Sequence, residues 1–295
     1  MTLDMRHRVD IDFVGLGSAG AAYGGFLHAW SFRDVDGKVW FEEFREKALD
    51  SVGSHYLPVY RMADGEYRFL MGRRFSPNRP VLREIAALTV ERLRIKNPDR
   101  WKTSWGEEYP PSKTRELRAR LIENIRYLSG TGFLACYMND NGLNAFTEYN
   151  AELEPFFRNN SIEFGPDNYV PFHFAPSLFI NKGRVELVQE RKILVVTGAD
   201  ADKQARIRLT LNTMGARQVN FMPISSSSSM MDTLDLSSID IKPDLCLVAA
   251  GIGSANILKQ LEPLGTLCVD IGGLMKWFVN PDIRQHGGVI GLSDV

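Results

Sequence analysis

Four short apolar runs in the C-terminal third of the chain constrain the fold most strongly. They are KILVVTG from Lys192, QVNFMPI from Gln218, DLCLVAAG from Asp244 and TLCVDIGG from Thr266. Each run is rich in residues that favour strands, and helical or polar segments separate one run from the next. Strands that are apolar on both faces and joined by long crossovers predict a Rossmann-like α/β fold, in which helices cover a mostly parallel sheet.

The first two thirds of the chain carry weaker signals of the same two kinds. Helical periodicity and strand-like runs predict further elements before the four apolar runs. These are a helix over 40–52, a strand over 57–62, helices over 80–94, 112–128 and 143–157, and a strand over 133–138. The run of serines over 225–229 is predicted to be a flexible connection.

Composition excludes several classes of protein. The 295 residues are 44% hydrophobic and 24% charged, as in an ordinary globular protein. Thirty-five basic residues nearly balance thirty-six acidic ones, so we expect no nucleic-acid partner. Cys136, Cys246 and Cys268 lie far apart and mostly in apolar runs, which is typical of reduced, buried thiols in a cytoplasmic protein.

A membrane span is the other possibility to weigh, because residues 13–32 contain no acidic or basic side chain. This stretch also holds five glycines and a histidine, and two aspartates precede it closely. Those residues fit neither a strong span nor a signal peptide, so we expect no stable membrane insertion.

The same stretch contains the spacing Gly15-x-Gly17-x-x-Gly20, which is that of a dinucleotide-binding turn. Glu42 and Glu43 follow at about the distance where a ribose-binding acid is expected. However, the strand before the motif alternates acidic and apolar residues, whereas a first Rossmann strand is apolar on both faces. We therefore interpret the motif as a packing turn and keep an NAD(P)- or FAD-dependent oxidoreductase as the alternative.

A second motif, Asp64-Gly-Glu66, follows the strand that contains Arg61. Two carboxylates at this spacing are able to bind one hard cation such as Mg²⁺ or Mn²⁺. The alternative is that Asp64 caps a helix beginning here and that Glu66 is favoured by the helix dipole.

Two further segments follow buried strands, where ligands bind in α/β proteins. Glycines in the segment Gly251-Ile-Gly253-Ser254 would let the backbone approach a phosphate, or they serve only a tight turn. Asp270 precedes Ile-Gly-Gly and would contact a ribose or sugar hydroxyl, or it caps the local backbone.

Together these segments resemble the GT-D type glycosyltransferases, a bacterial family with a Rossmann-like fold. YRMADGEYRFL is similar to the family's strand and R-x-G-D-G-E motif, with Ala63 in place of the first glycine. PDLCLVAAGIGSANILKQLEPLGTLCVDIGG is similar to its strand, Gly-rich loop, helix and D-I-G strand, although Gly273 stands where the family has histidine. The resemblance covers about 39–278, which predicts an N-terminal extension over 1–38 and a glycosyltransferase domain over 39–295.

The resemblance implies transfer of a sugar from a nucleotide-diphosphate donor to a hydroxyl group of a saccharide or glycoconjugate acceptor. Asp64 and Glu66 would be the catalytic, metal-binding pair, with Mn²⁺ or Mg²⁺ as cofactor. The predicted nucleotide-binding residues are Arg61, Gly251, Gly253, Ser254 and Asp270. Asp200 and Asp202, which follow a strand, are candidate general bases. A catalytically silent nucleotide-binding protein of the same fold is a further alternative.

Overall fold

A parallel sheet is the centre of the computed structural model, which describes residues 5, 7–14, 26–62, 64–71, 101–102, 108–109, 111–138, 150–179, 184–280 and 289–290. The strands are β1 (His7–Val14), β2 (Phe26–Ser31), β3 (Leu57–Met62), β4 (Trp101–Lys102), β5 (Glu108–Tyr109), β6 (Phe133–Cys136), β7 (Tyr169–Pro171), β8 (Lys192–Thr197), β9 (Gln218–Pro223), β10 (Leu245–Ala249), β11 (Leu267–Asp270) and β12 (Val289–Ile290). The helices are α1 (Gly37–Ser51), α2 (Asp64–Met71), α3 (Pro111–Thr131), α4 (Asn150–Asn159), α5 (Phe174–Ser177), α6 (Arg184–Val188), α7 (Ala201–Thr213), α8 (Ser254–Gln260) and α9 (Met275–Val279).

Seven strands form the main sheet, in the order β7-β6-β3-β11-β10-β8-β9. Every neighbouring pair is parallel. β10 and β11 lie in the middle of the sheet, and nearly all of their residues are buried. This is expected for strands in a sheet whose two faces are both covered by helices. The predicted α/β fold with a parallel sheet is therefore confirmed.

Local sequence signals placed most of these elements correctly. The predicted strand over 57–62 and the four C-terminal strands are present. The predicted amphipathic helix is α1, whose first turn is capped by the Asp36 side chain accepting from the N–H groups of Lys38 and Val39. The helix predicted over 80–94 lies outside the described residues. β7 was missed, because its segment contains three prolines and shows no clear period.

The N-terminal strands form a separate sheet. β1 pairs antiparallel with both β2 and β12. Val9 and Ile11 are buried while Asp10 is exposed, as the alternating sequence predicted. A Cβ atom on Gly37 would lie 2.9 Å from the carbonyl oxygen of Asp10, so α1 begins in close contact with β1. Gly15, Gly17 and Gly20 lie outside the described residues.

β2 occupies the second half of the apolar stretch over 13–32. None of the helices in the described part of the chain is long and apolar enough to cross a membrane. The three cysteines are free and buried, as their apolar surroundings predicted.

The chain leaves β3 and β11 in opposite directions, and this positions the candidate site. From β3 it continues to β6, whereas from β11 it continues into α9. α9 packs on α7, the helix that follows β8, and the Thr210 hydroxyl donates a 2.7 Å hydrogen bond to the carbonyl oxygen of Phe278. The crevice between the carboxyl ends of β3 and β11 is therefore a topological switch point, where α/β proteins bind ligands.

Candidate functional site

Arg61, near the end of β3, is held in place by both sides of this crevice. Its Nη1 atom donates a hydrogen bond of 2.5 Å to the carbonyl oxygen of Ile271, directly after β11. The guanidinium carbon lies 4.2 Å from the centre of the Phe172 ring, and Phe172 stacks on Tyr137 at 3.9 Å. A cation over an aromatic face is attracted by the ring, so the guanidinium group has a fixed orientation.

The Asp-Ile-Gly segment forms the turn that receives Arg61. The N–H group of Gly272 donates a 3.0 Å hydrogen bond to Oδ1 of Asp270. Gly272 has a φ of +41°, and a Cβ atom there would lie 3.2 Å from Nη1 of Arg61. Glycine is therefore required both for the backbone conformation and for the close approach of the guanidinium group. Asp270 caps the local backbone, which was one of its two predicted roles.

Asp270 is also a buried carboxyl group with an altered acidity. Burial raises its pKa to about 6, although the Arg61 guanidinium, the Ser254 hydroxyl and the N–H groups of Gly272 and Arg61 lower the pKa in part. The side chain is only 3% exposed. At neutral pH it is a buried anion beside the partly buried guanidinium group of Arg61.

Glu66 lies in the helix that follows β3. Helix α2 begins at Asp64, so both acids of the Asp-Gly-Glu motif belong to its first turn. The Glu66 side chain is 5% exposed, and that of Asp64 lies outside the described part of the structure. In the described residues no group of three or more His, Cys, Asp or Glu side chains is placed to hold a metal ion.

The buried phenol of Tyr60 is subject to the negative charge of both carboxylates. Burial raises its pKa well above the usual value, and the negative charges of Glu66 and Asp270 raise it further. The phenol is completely buried, and its hydroxyl has no hydrogen-bond partner among the described residues. Carboxylates are hard oxygen ligands, so the chemistry of Glu66 and Asp270 is of the type that binds a divalent cation such as Mg²⁺ or Mn²⁺.

The glycine loop after β10 is a tight turn. The N–H of Gly253 donates to the carbonyl oxygen of Ala250, and that of Ser254 donates to Gly251. A Cβ atom on Gly253 would lie 2.6 Å from the carbonyl carbon of Ser229. These contacts favour the packing alternative for Gly253. Its predicted contact with a nucleotide stays a prediction, as do those of Gly251 and Ser254.

The serine run packs against this loop and is more than a connection. The Ser229 hydroxyl donates to the carbonyl oxygen of Ala250 at 2.7 Å. The Asn256 amide donates to the carbonyl oxygens of Ser229 and Asp232. The partners lie more than twenty residues apart in sequence, so no local signal predicted this arrangement.

Asp200, a candidate general base, caps α7. Its side chain accepts from the Lys203 N–H at 2.9 Å and from the Lys203 ammonium group at 2.6 Å. These hydrogen bonds lower its pKa. Asp202 is exposed in the first turn of the same helix. Because a hydrogen-bonded, acidic carboxylate is a poor proton acceptor, the geometry does not favour Asp200 as the base.

Tyr137, Phe172 and His173 form an aromatic wall beside Arg61. The sequence analysis did not predict it. The His173 ring lies 5.6 Å from the Tyr137 ring, edge to face. Burial and the positive charge of Arg61 lower the pKa of His173 to about 3. These residues follow β6 and β7, and no motif marks them.

The fold and this crevice define a Rossmann-like α/β protein with buried acidic groups and a partly buried guanidinium group at its switch point. No protein-family profile matches the sequence, and a comparison with curated proteins finds no significant match.

Solved structures of one glycosyltransferase type are similar to the chain. One, described as a new glycosyltransferase (DUF1792) from Streptococcus sanguinis, is 19% identical with a TM-score of 0.45, over 79% of this chain and 82% of its own. Another is described as a highly conserved domain of unknown function 1792 with a distinct glycosyltransferase fold. It is 14% identical to this chain with a TM-score of 0.43, and the match covers 79% of this chain and 85% of the other. These structures are of the type that the sequence resembles.

Proposed function

We propose that this protein is a metal-dependent glycosyltransferase. It would move a sugar from a nucleotide-diphosphate donor to a hydroxyl group of a saccharide or glycoconjugate acceptor. The observation that carries the proposal is the contact of the Arg61 guanidinium group with the turn after Asp270, at the crevice between β3 and β11, next in sequence to the helix that contains Glu66. A switch point with a fixed guanidinium group and buried carboxylates suits an anionic ligand that binds together with a cation.

Asp64 and Glu66 are the proposed ligands of Mn²⁺ or Mg²⁺. The bound cation would act as a Lewis acid toward the diphosphate leaving group. Both residues lie in the first turn of α2, where the helix dipole favours negative charge.

Arg61 is the proposed diphosphate-binding residue. Its contacts with Ile271 and Phe172 fix the plane of the guanidinium group before the donor arrives. A planar, preorganised donor fork is suited to phosphate oxygens and loses little side-chain entropy on binding. The loop from Gly251 to Ser254, which follows β10, is the proposed neighbour of the phosphate or ribose.

The oxidoreductase alternative is less consistent with the topology. Its glycine motif would have to follow a strand in the middle of a parallel sheet. β1, the strand before the motif, pairs antiparallel in the separate three-stranded sheet.

A thermal-shift experiment tests the proposal and separates it from both alternatives. Ligands that bind only the folded state raise its melting temperature. Uridine and other nucleoside diphosphates are compared with and without Mn²⁺, beside NAD, NADP and FAD. We expect stabilisation by a nucleoside diphosphate that disappears in excess chelator, and transfer of sugar from the matching donor. Stabilisation by NAD or FAD alone would support the oxidoreductase, and binding without any transfer would support a silent protein.

A further inference from the structure

A cavity of about 600 Å³ lies between α6, α7 and α9, and most of its lining is apolar. Its described walls include the side chains of Phe179, Val185, Leu209, Thr213, Trp277 and Phe278. In the described part of the chain four large apolar side chains are exposed, and two of them, Val185 at 42% and Leu209 at 69%, line this cavity. Exposed apolar side chains that gather at one place mark a binding surface, whereas scattered ones need no explanation.

The hydroxyl groups in the lining are already hydrogen-bonded within the protein. Thr210 donates to the carbonyl oxygen of Phe278 at 2.7 Å, and Thr213 donates to that of Leu209 at 2.9 Å. The other polar side-chain groups in the described lining are one amide and one indole N–H. A ligand in this cavity therefore meets apolar surface and few hydrogen-bonding groups, which suits a hydrocarbon chain.

Positive charge lies beside two walls of the cavity. Arg206 is exposed on α7, one helical turn before the lining residue Leu209, and residues at that spacing are neighbours on a helix surface. α7 as a whole carries three basic side chains and one acidic one. Lys276 is exposed on α9, next to the lining residue Trp277. These two walls favour an anionic group at the cavity.

The acidic side chains near the cavity lie on the third wall, around α6. Glu186 follows the lining residue Val185 and is already paired with Arg45. Glu190 comes shortly after α6 and is exposed. The head group of a bound anionic ligand is consequently expected on the side of α7 and α9.

The cavity extends along α7. This helix joins β8 to β9, which are parallel neighbours, so it begins at the edge of the sheet where the strands end and runs back to the opposite edge. The candidate site lies at the first of these edges. Arg206 is nearer to that edge than the lining residues Thr213 and Gly215. A ligand with its chain toward Gly215 would therefore have its head group on the side of the crevice.

We propose that this cavity binds the apolar chain of an anionic amphiphile, and that this amphiphile carries the acceptor sugar. The first part stands on the cavity alone. The second part rests on the proposed function, because it names the class of glycoconjugate that would accept the sugar. A single chain is the occupant that fits, since the volume is that of a small-ligand pocket and cations lie beside it.

Binding of decyl phosphate to the full-length protein tests the cavity directly. Affinity is measured by calorimetric titration below the concentration at which micelles form, beside decyl maltoside, which has the same chain and no charge. We expect both amphiphiles to bind, and decyl phosphate to bind at least threefold more tightly.

Substitutions in the walls locate the binding site. Leu209→Gln removes an apolar wall at an exposed position and should weaken the binding of both amphiphiles at least fivefold. Val185→Gln should have the same effect from the opposite wall. Arg206→Gln should weaken decyl phosphate at least threefold and leave decyl maltoside within twofold. Val39→Gln is the matched control, because Val39 is an exposed apolar residue of α1 that does not line the cavity, and it should bind as the wild type does.

Three results would overturn the inference and leave the proposed function intact. One is no binding by the wild type, or wild-type affinity in both Leu209→Gln and Val185→Gln. Another is a dimer in sedimentation that Leu209→Gln dissociates, because a second copy of the chain would then cover the cavity. The third is binding to phosphatidylglycerol vesicles without binding of decyl phosphate monomers, which would assign the surface to a membrane.

Transfer kinetics test the acceptor role. With the matching donor, decyl glycosides should have a KM at least tenfold lower than methyl glycosides of the same sugars, and Leu209→Gln should remove this difference. Equal KM values for the two series would overturn the acceptor role. A protein that neither binds a nucleotide nor transfers a sugar would overturn the proposed function and the acceptor role with it, whereas chain binding in the titration would still establish the cavity as a binding site.

Discussion

Arg61 donates a hydrogen bond from Nη1 to the carbonyl oxygen of Ile271, 210 positions later in the sequence. This contact joins the end of β3 to the turn after β11 across the switch point of the sheet. The guanidinium group therefore has two roles: it holds the two sides of the crevice together, and it supplies the positive charge there. Substitutions here should change ligand binding and stability together.

Arg61→Lys keeps the charge but loses the planar group that stacks on Phe172 and contacts Ile271. We expect nucleotide affinity to fall by about tenfold or more, which is about 1.4 kcal/mol, with a loss of about 1–2 kcal/mol in the free energy of unfolding. Calorimetric titration and urea unfolding measure the two effects. Arg33→Lys is the control, because Arg33 forms an exposed ion pair with Glu43. Wild-type affinity in Arg61→Lys would show that charge alone is needed.

Gly253→Ala tests the packing role of the glycine loop. The new methyl group would meet the backbone of Ser229, so we expect a loss of about 1–3 kcal/mol in unfolding free energy and a melting temperature lower by several degrees. Gly273→Ala is the matched control, since a Cβ atom there has nothing within 4 Å. A stable Gly253→Ala variant with weakened nucleotide binding would instead indicate a direct ligand contact.

His173 makes stability depend on pH in a defined direction. Its folded-state pKa of about 3 is below the ordinary value near 6.5. Below pH 6.5 the unfolded chain therefore binds a proton at this histidine that the folded protein does not bind. The stabilisation present above pH 6.5 is therefore lost as the pH falls toward 3.

We expect this single group to remove about 2 kcal/mol of stability between pH 7 and pH 5. His173→Gln should show a correspondingly smaller loss over that interval in urea unfolding. His55→Gln, a change at an exposed position, should follow the wild type. Parallel pH profiles for His173→Gln and the wild type would contradict the shifted pKa.

Asp64→Asn separates a metal ligand from a residue that only favours the helix start. Asn retains the hydrogen-bonding ability of Asp at the start of α2 but carries no charge. We expect the variant to keep its melting temperature within a few degrees and to lose Mn²⁺-dependent nucleotide binding by at least tenfold. Affinity within about twofold of the wild type, or about 0.4 kcal/mol, would assign the residue to the helix alone.

The sequence by itself determined the strands and much of the fold class. The apolar runs of β8, β10 and β11 are local, and their composition alone indicates strands covered on both faces. Arg61, the Asp-Gly-Glu motif and Asp270 were also identified locally, because each follows or ends such a strand.

Only the tertiary structure decided which of these segments meet. The strand order places β3 beside β11, and this pairing brings Tyr60 and Arg61 to Asp270. The tertiary structure also revealed the packing of Gly253 on Ser229 and the aromatic wall formed by Tyr137, Phe172 and His173. Strand formation follows from short-range periodicity, whereas the contacts of a site depend on hydrogen-bonded pairing between segments about two hundred residues apart, which no local pattern specifies.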